Sequence, residues 1–418
     1  MQAIHAGTLI DGRGGEPLSE GIVLVDGERI AAVGPAAQIQ VPPQAAVVDA
    51  RDKTVMPGMV DAHVHIHTPG GPTDNYALAE ARELEGTLAL RALNYALRSL
   101  HAGFTTLRSL GSPAYVDVAL RKAIDEGVVD GPRLRVAGQG LSRTGGHMDK
   151  PYWSPAVTIA GRTGVCDGPW ECRRAARAQV KWGADLLKIN ACGGSIHDLN
   201  EPWIQEMTYE EMAAICEEAR WVHKRVAAHT SGGPGLTDAL RAGIHSVEHG
   251  HWLSEEQVDL MAERGVFYVP TLRVGSLNLR SPEREKHPAP VLAWLECANE
   301  AKQGSMERAR KAGIPIALGT DAGFLVNHGE NAAELEELVQ AGLTPMEALV
   351  AATQTGARCL DMEKEIGTLE AGKYADLLIV DGDPLADIRV LQDGARIVQV
   401  FKGGKPFKTG SPAGDRTL

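Results

Sequence analysis

Between residues 57 and 360, short apolar runs alternate eight times with longer stretches of helical period, and few folds accommodate that rhythm. The runs fall near 59–66, 103–108, 133–138, 184–190, 225–229, 244–248, 266–271 and 314–320, with helical segments between most of them. One helix is expected to open at Thr208-Tyr209-Glu210-Glu211, a capping-box spacing, and to bury Met212, Ile215, Cys216, Ala219 and Val222 on one face. Another opens at Thr344-Pro345-Met346-Glu347, with proline at the first helical position. Eight strand–helix units over roughly 300 residues match the size of a β/α barrel. A doubly wound open sheet would carry a glycine-rich phosphate loop after its first strand, whereas Met56-Pro57-Gly58-Met59 leads into histidines.

The two ends have a different texture. Gly21-Ile22-Val23-Leu24-Val25-Asp26-Gly27 followed by Arg29-Ile30-Ala31-Ala32-Val33-Gly34 reads as strand, turn and strand. Ala375-Asp376-Leu377-Leu378-Ile379-Val380 and Ile397-Val398-Gln399-Val400-Phe401 repeat that texture near the other end. The chain is therefore expected to be α/β, with a distorted (β/α)8 barrel over 57–360 and one small sheet domain assembled from 1–56 and 361–418. The stretch from Gly410 to Leu418 reads as a frayed tail.

Charge narrows the partners. Acidic side chains number 54 against 42 basic ones, a net charge of −12, which disfavours nucleic acid and anionic membranes as ligands. No basic n-region occupies the first ten residues, and no run of eighteen apolar residues occurs, so a soluble cytoplasmic protein is expected. The six cysteines show no CxxC pair and no framework spacing, which suits reduced packing residues in a reducing compartment.

The chemistry gathers at strand ends. In Asp61-Ala62-His63-Val64-His65-Ile66-His67, alternation separates Val60, Ala62, Val64 and Ile66 from Asp61, His63, His65 and His67, which are expected to point into the barrel. Two neutral imidazoles two residues apart on one strand face can bind one ion. Taken alone, such a pair is more often packed or solvated than ligating. Further along, Asp185-Leu186-Leu187-Lys188-Ile189-Asn190 carries a lysine where burial is expected, Val226-Ala227-Ala228-His229 ends in histidine, Ser246-Val247-Glu248-His249-Gly250 carries another, and Ala317-Leu318-Gly319-Thr320-Asp321 ends in aspartate. Together they place polar groups at the C-terminal ends of strands one, four, five, six and eight, where barrels build active sites.

With these motifs in order, the chain resembles the binuclear-metal subtype of the amidohydrolase superfamily. The resemblance runs from Met56-Pro57-Gly58-Met59-Val60-Asp61-Ala62-His63-Val64-His65 to Gly367-Thr368-Leu369-Glu370-Ala371-Gly372-Lys373-Tyr374-Ala375-Asp376-Leu377, a run similar to the one by which such chains return to a small β-sandwich. It implies two divalent ions, zinc first, with manganese, cobalt or iron also compatible. His63, His65 and Asp321 would hold one, and His229 and His249 the other. Lys188 would bridge them as a CO2-derived carbamate, because an ammonium cannot stand between two dications. The resemblance also implies an amide hydrolase in which a bridging hydroxide attacks the carbonyl and Asp321 serves as general base, then acid.

His147, in Ser142-Arg143-Thr144-Gly145-Gly146-His147, resembles the substrate-contacting histidine of a branch with prolidases, Xaa-Arg dipeptidases, carboxypeptidases and ochratoxin amidases. Arg108-Ser109-Leu110-Gly111 resembles the branch pattern but carries Ser109 where aspartate is usual, and Ser231 replaces an aromatic or imidazole ring that often contacts the substrate. Arg273 and Arg143 are the candidates to fork onto a substrate carboxylate. Tyr152-Trp153-Ser154-Pro155 either lines an aromatic pocket or seals a loop. His67, His197, His251 and His328 lie near strand ends as supporting or surface residues, while His101, His223, His245 and His287 carry no assigned chemistry. The expected substrate is a small-molecule amide, a dipeptide or N-acyl amino acid, and a homo-oligomer is expected. The competing readings are a cyclic-amide hydrolase, which typically lacks a lysine like Lys188, and a non-catalytic scaffold, which would have lost a ligand.

Overall fold

A computed structural model of the chain describes residues 1–70, 80, 82–149, 154, 164–194, 204–280 and 289–408. His197, His287, Tyr152, Trp153, Pro155 and the tail from Gly410 lie outside the described residues. In chain order the strands are β1 (Gln2–Leu9), β2 (Leu18–Asp26), β3 (Arg29–Pro35), β4 (Ala46–Pro57), β5 (Met59–Val64), β6 (Phe104–Ser109), β7 (Arg133–Val136), β8 (Leu141–Ser142), β9 (Gly164–Val165), β10 (Leu187–Asn190), β11 (Val226–Gly232), β12 (Ser246–Trp252), β13 (Phe267–Val269), β14 (Leu377–Val380), β15 (Ile397–Lys402) and β16 (Lys405–Lys408).

The two ends share a sheet. Its seven strands run β16-β15-β14-β4-β1-β2-β3, with β4 parallel to β1 and antiparallel to β14. Alternation covers both faces: Ile4, Val23, Val25, Val55, Leu377 and Phe401 pack in one apolar cluster, Ala3, Ile22 and Leu24 in another.

The strands between are parallel and alternate with helices, an arrangement consistent with a distorted (β/α)8 barrel. β5, β6 and β7 are parallel neighbours, as are β10, β11, β12 and β13. The strand expected at 314–320 is not a regular one: residues 315–322 take the place of an eighth strand through isolated bridges, bonded to β13 through Tyr268 N–Pro315 O (3.0 Å) and to β5 through Ala62 N–Leu318 O (2.8 Å) and His65 N–Ala322 O (2.7 Å). The remaining seam is bridged by Asp185 N donating to Val136 O at 2.7 Å. Alternation does the sorting. Leu187, Ile189, Val226, Ala228 and Val247 pack with the helix residues Ile215, Ala219, Leu236 and Leu240, leaving the intervening positions, Lys188, His229 and Glu248, for other partners.

Both expected helix starts are present, Thr208 and Thr344 each forming a reciprocal capping box with Glu211 and Glu347. Met212, Ile215, Cys216 and Ala219 are buried as expected, but Val222 is 44% exposed because it is the C-cap, where the helix has already ended. Five cysteines are buried and Cys297 is exposed. Among the described residues, no helix is long and apolar enough to cross a membrane.

Several contacts tie the terminal segments to the barrel, among them Lys405–Asp130 at 2.8 Å and a more buried one at Arg133. Arg133 of β7 forks onto Asp376, just before β14, at 2.8 and 3.1 Å, and stacks on the Tyr374 ring 3.7 Å from its centroid. Asp376 is buried, so removing its partner leaves an uncompensated carboxylate. Arg133→Ala is expected to cost about 2–4 kcal/mol of stability, read as a lower urea midpoint; a midpoint unchanged within error would show the pair to be idle.

Candidate metal centre

At the C-terminal end of the barrel, His63 from β5 and His65, just past its end, meet Asp321 from the segment 315–322. Asp321 Oδ1 lies 3.5 Å from His63 Nε2 and 3.3 Å from His65 Nε2. His249 joins them, its ring centroid 5.0 Å from that of His63 and 4.5 Å from that of His229. His63, His249 and Asp321 each bring one potential ligand atom within 4.8 Å of the others.

Regular strand geometry would not allow this meeting. Glu248 and His249 are consecutive, so alternation should send them to opposite faces, yet both approach His63. A left-handed turn resolves the conflict, with φ 73° at His249 and 51° at Gly250, and Asp321 has φ 58°. Such a conformation costs a non-glycine residue about 1–2 kcal/mol and persists only where the surroundings enforce it. Asp61, expected beside His63, has other partners. Its oxygens accept from His63 N, Thr320 N, Thr320 Oγ1 and Asn331 Nδ2 at 2.6–3.1 Å, joining the first strand to the eighth.

Each histidine already has an outer partner for one ring nitrogen. His63 Nδ1 donates to Glu248 Oε2 at 2.9 Å, His65 Nδ1 to Gly111 O at 3.4 Å, and His229 Nε2 to Gly193 O at 3.3 Å. A carbonyl or an ionised carboxylate accepts only, so in the neutral ring the proton is fixed there and the opposite nitrogen keeps its lone pair. His249 Nδ1 lies 2.7 Å from Thr271 Oγ1. Burial, then the nearby charge of Lys188, lowers His63 to about 4; burial, then Lys188, lowers His229 to about 3; burial, then His229, holds His249 well below the usual imidazole value. All three are neutral donors at physiological pH.

Among the buried atoms without a hydrogen bond, two belong to this cluster. Lys188 Nζ and Asp321 Oδ1 make no hydrogen bond, although Lys188 is 4% exposed. Burial lowers the Lys188 ammonium to about 8, against the opposing pull of Glu248 and Asp321. Buried polar groups are normally satisfied, so an orphaned amine beside an orphaned carboxylate oxygen and several imidazole lone pairs has the donor set of a cation site. The residues fit divalent ions.

Sequence reasoning missed Glu248 and gave Arg108 no role. Glu248 is 0% exposed; burial would raise its carboxyl, but Arg108 first and His63 next hold it down to about 2. Its Oε1 accepts from Arg108 Nη2 at 2.8 Å and from Ser246 Oγ at 2.5 Å. The available signal was an acid and a base at inward positions of two apolar strands. Glu206 also went unnoticed: it accepts His147 N at 2.5 Å and Ser142 Oγ at 3.0 Å, fixing the loop that carries His147.

His147 stacks on His229 at 4.4 Å, with 11° between the rings, and a Cβ at Gly194 would stand 1.9 Å from its Nδ1, so glycine is required there. Ser231 is buried, its N–H donating to Cys192 Sγ at 2.9 Å. Arg143 is half-buried on the His147 loop, Nη1 donating to Thr144 O at 3.2 Å. Arg273 Nη1 donates to Glu337 Oε1 at 3.1 Å, so its described contacts lie with that carboxylate and not with the histidines. Among the other candidates, His67 Nε2 lies 3.3 Å from Glu80, His328 stacks on Tyr95 at 4.9 Å, and His251 is buried beyond His249 at a ring distance of 6.1 Å. His245 Nε2 donates to Cys359 O at 3.3 Å, and His223 sits exposed at a helix end with φ 55°.

Residues 54–407 match the model of the Amidohydrolase family. Ochratoxinase of Aspergillus niger is 34% identical over 428 aligned residues, covering 97% of this chain and 86% of that protein. A solved Xaa-Pro dipeptidase with methionine in its active site superposes with a TM-score of 0.89 at 33% identity, covering 97% of this chain and 99% of the other. A prolidase solved with N-methylphosphonate-L-proline gives 0.88 at 30%, over 97% and 99%. With the family model and these relatives spanning nearly its whole length, the chain belongs to the amidohydrolase family and is a hydrolase acting on carbon–nitrogen bonds.

Proposed function

We propose that the protein cleaves the amide bond of a dipeptide or N-acyl amino acid, ochratoxin-type amides included, with two divalent ions, zinc first, held by its histidines. The observation that carries this reading is the presence of Lys188 Nζ and Asp321 Oδ1, both buried and without a hydrogen bond, among neutral imidazoles. His63, His65 and Asp321 would hold one ion, His229 and His249 the other, and Lys188 both. For that role the Lys188 ammonium first gives up one proton, and the free amine then adds to CO2, forming an N–C bond and releasing a second proton to solvent, which turns a cation into a two-oxygen anion. The lowered proton affinity of the buried amine supports that addition.

When bound, the ions acidify a water toward neutral pKa and polarise a carbonyl. The chain's own groups do the rest. Asp321 Oδ1 takes the proton of the attacking water and returns it to the leaving amine nitrogen. His147, stacked on His229, donates to the carbonyl oxygen as charge develops there. Arg143, four residues before His147 on the loop fixed by Glu206, meets the substrate carboxylate, with Ser231 beneath the scissile bond and Arg273, through Glu337, supporting the rim. On this reading the chemistry belongs to 57–360, the composite of 1–56 and 361–418 is the small β-sandwich domain that braces it, and the protein works as a cytoplasmic homo-oligomer.

Incubating the zinc-loaded protein with N-acyl amino acids and dipeptides and measuring released amine is expected to show turnover; silence across the set with hydrolysis of a cyclic amide would overturn the assignment. Asp321→Asn is expected to lower kcat by about 10²–10⁴-fold, and a loss under threefold would remove it from proton transfer. Elemental analysis should find two ions in the wild type and fewer in Lys188→Ala; equal content would refute the bridge. Glu248→Ala frees the His63 tautomer and is expected to weaken ion binding about 10–100-fold in equilibrium dialysis, whereas unchanged binding would make the carboxylate a partner of Arg108 alone.

A further inference from the structure

Beyond His249, β12 leaves the barrel against one side of the long helix Ala289–Lys311. Ser305 Oγ donates to His251 O at 2.8 Å and accepts from Leu253 N at 2.9 Å, while Arg308 Nε donates to Leu253 O at 2.8 Å. Lys302, Ser305 and Arg308 stand three residues apart and so share a helix face. Tyr268 OH donates to Gly250 O at 3.0 Å from the other side. The left-handed turn at His249 and Gly250 is thus braced on both flanks.

Lys302 is the unexpected member of that face. It is 2% exposed, and its Nζ donates to Thr271 O at 2.9 Å. A buried lysine is rare without a polar task, since an apolar chain of similar volume would pack without desolvating a charge. Thr271 is as unusual: a β-branched residue at φ 47°, in a region such residues avoid, with its Oγ1 2.7 Å from His249 Nδ1. The next two N–H groups, of Leu272 and Arg273, donate to the two oxygens of buried Glu334 at 2.7 and 2.8 Å. Glu334 is also the carboxylate whose charge acts most strongly on Lys302. Thr271 is therefore held at its carbonyl by a buried cation and at the following amides by a buried carboxyl group.

We propose that Lys302 is a positioning residue for His249, acting through Thr271: it holds the Thr271 carbonyl so that the strained residue presents its hydroxyl oxygen to accept from His249 Nδ1–H and leaves Nε2 as the ring's unprotonated nitrogen. The use of Nε2 for an ion rests on the function proposed above; the aim of the ring does not. The test uses Lys302→Met, which keeps the volume and removes the donor, with Thr271→Val and Thr271→Ser at the far end. In crystals of Lys302→Met, Thr271 is expected to leave the left-handed region and the His249–Thr271 contact to be lost; both retained would overturn the proposal. In equilibrium dialysis against Co2+, Lys302→Met and Thr271→Val are each expected to weaken binding about tenfold or more, the double variant no more than the worse single, and Thr271→Ser to bind as wild type. A lower Tm in Lys302→Met with unchanged Co2+ affinity, or additive losses in the double variant, would reduce Lys302 to a packing residue and overturn the proposal. Should wild-type protein take up no Co2+, the metal reading falls while the crystal comparison still decides the role of Lys302.

Discussion

The ion pair between Arg108 and Glu248 is the interaction on which both barrel and site depend. Both side chains are essentially without solvent, at 1% and 0% exposure. A lone charge there would cost several kcal/mol, so removing either residue destabilises the other. Arg108, from β6, donates to Ala62 O on β5 and to Ser246 Oγ and Glu248 Oε1 on β12. It thus ties strands on different sides of the barrel together. The other oxygen of Glu248 receives the His63 ring N–H. The charge that knits the interior also sets the tautomer of a candidate ligand, so disturbing one disturbs the other.

A second constraint is geometric. A strand offers every other side chain to the interior, which is too sparse to supply both a holding carboxylate and a held imidazole from the same few residues. The turn at His249 lifts that limit, and the one at Asp321 ends the eighth strand with a carboxylate facing two histidines. Strain at these tips is supported from outside the cluster. Asp61 anchors Thr320 beside Asp321, while Thr271 and the helix Ala289–Lys311 support the turn at His249.

Much of this was legible in the sequence because it rests on local pattern. Seven of the eight expected strand positions, the capping boxes at Thr208 and Thr344, and the polar positions His63, His65, Lys188, His229, His249 and Asp321 follow from alternation, helical period or cap chemistry, while 314–320 forms only an isolated bridge at Ile316. What sequence alone could not supply were partners distant along the chain. Arg108 and Glu248 are 140 residues apart, and Asp61 and Asn331 are 270 apart. Nothing local distinguishes Asp61, which anchors a loop, from His63, two residues on, which faces the cluster. Arg273 sat at the right strand end for a substrate contact, but sequence could not reveal Glu337 waiting 64 residues later. Left-handed conformations at His249, Thr271 and Asp321 were equally hidden, since none of them is glycine.

Charge balance links the interior to the class of substrate. The fixed charges are two positive, Arg108 and Lys188, and three negative, Glu248, Asp321 and Asp61, whose carboxyl burial raises to about 6, with His63, His229 and His249 neutral. On the proposed reading, the carbamate exchanges one positive charge for one negative, leaving the protein a net three negative charges against the four positive charges of two ions. The centre then keeps an excess of one positive charge in a poorly solvated space, where Coulomb attraction is strong. A neutral amide gains little from such a field, whereas a substrate bearing its own carboxylate is drawn in and oriented by it. On the proposed reading, the free carboxylate of a dipeptide or N-acyl amino acid is the group that this field would orient.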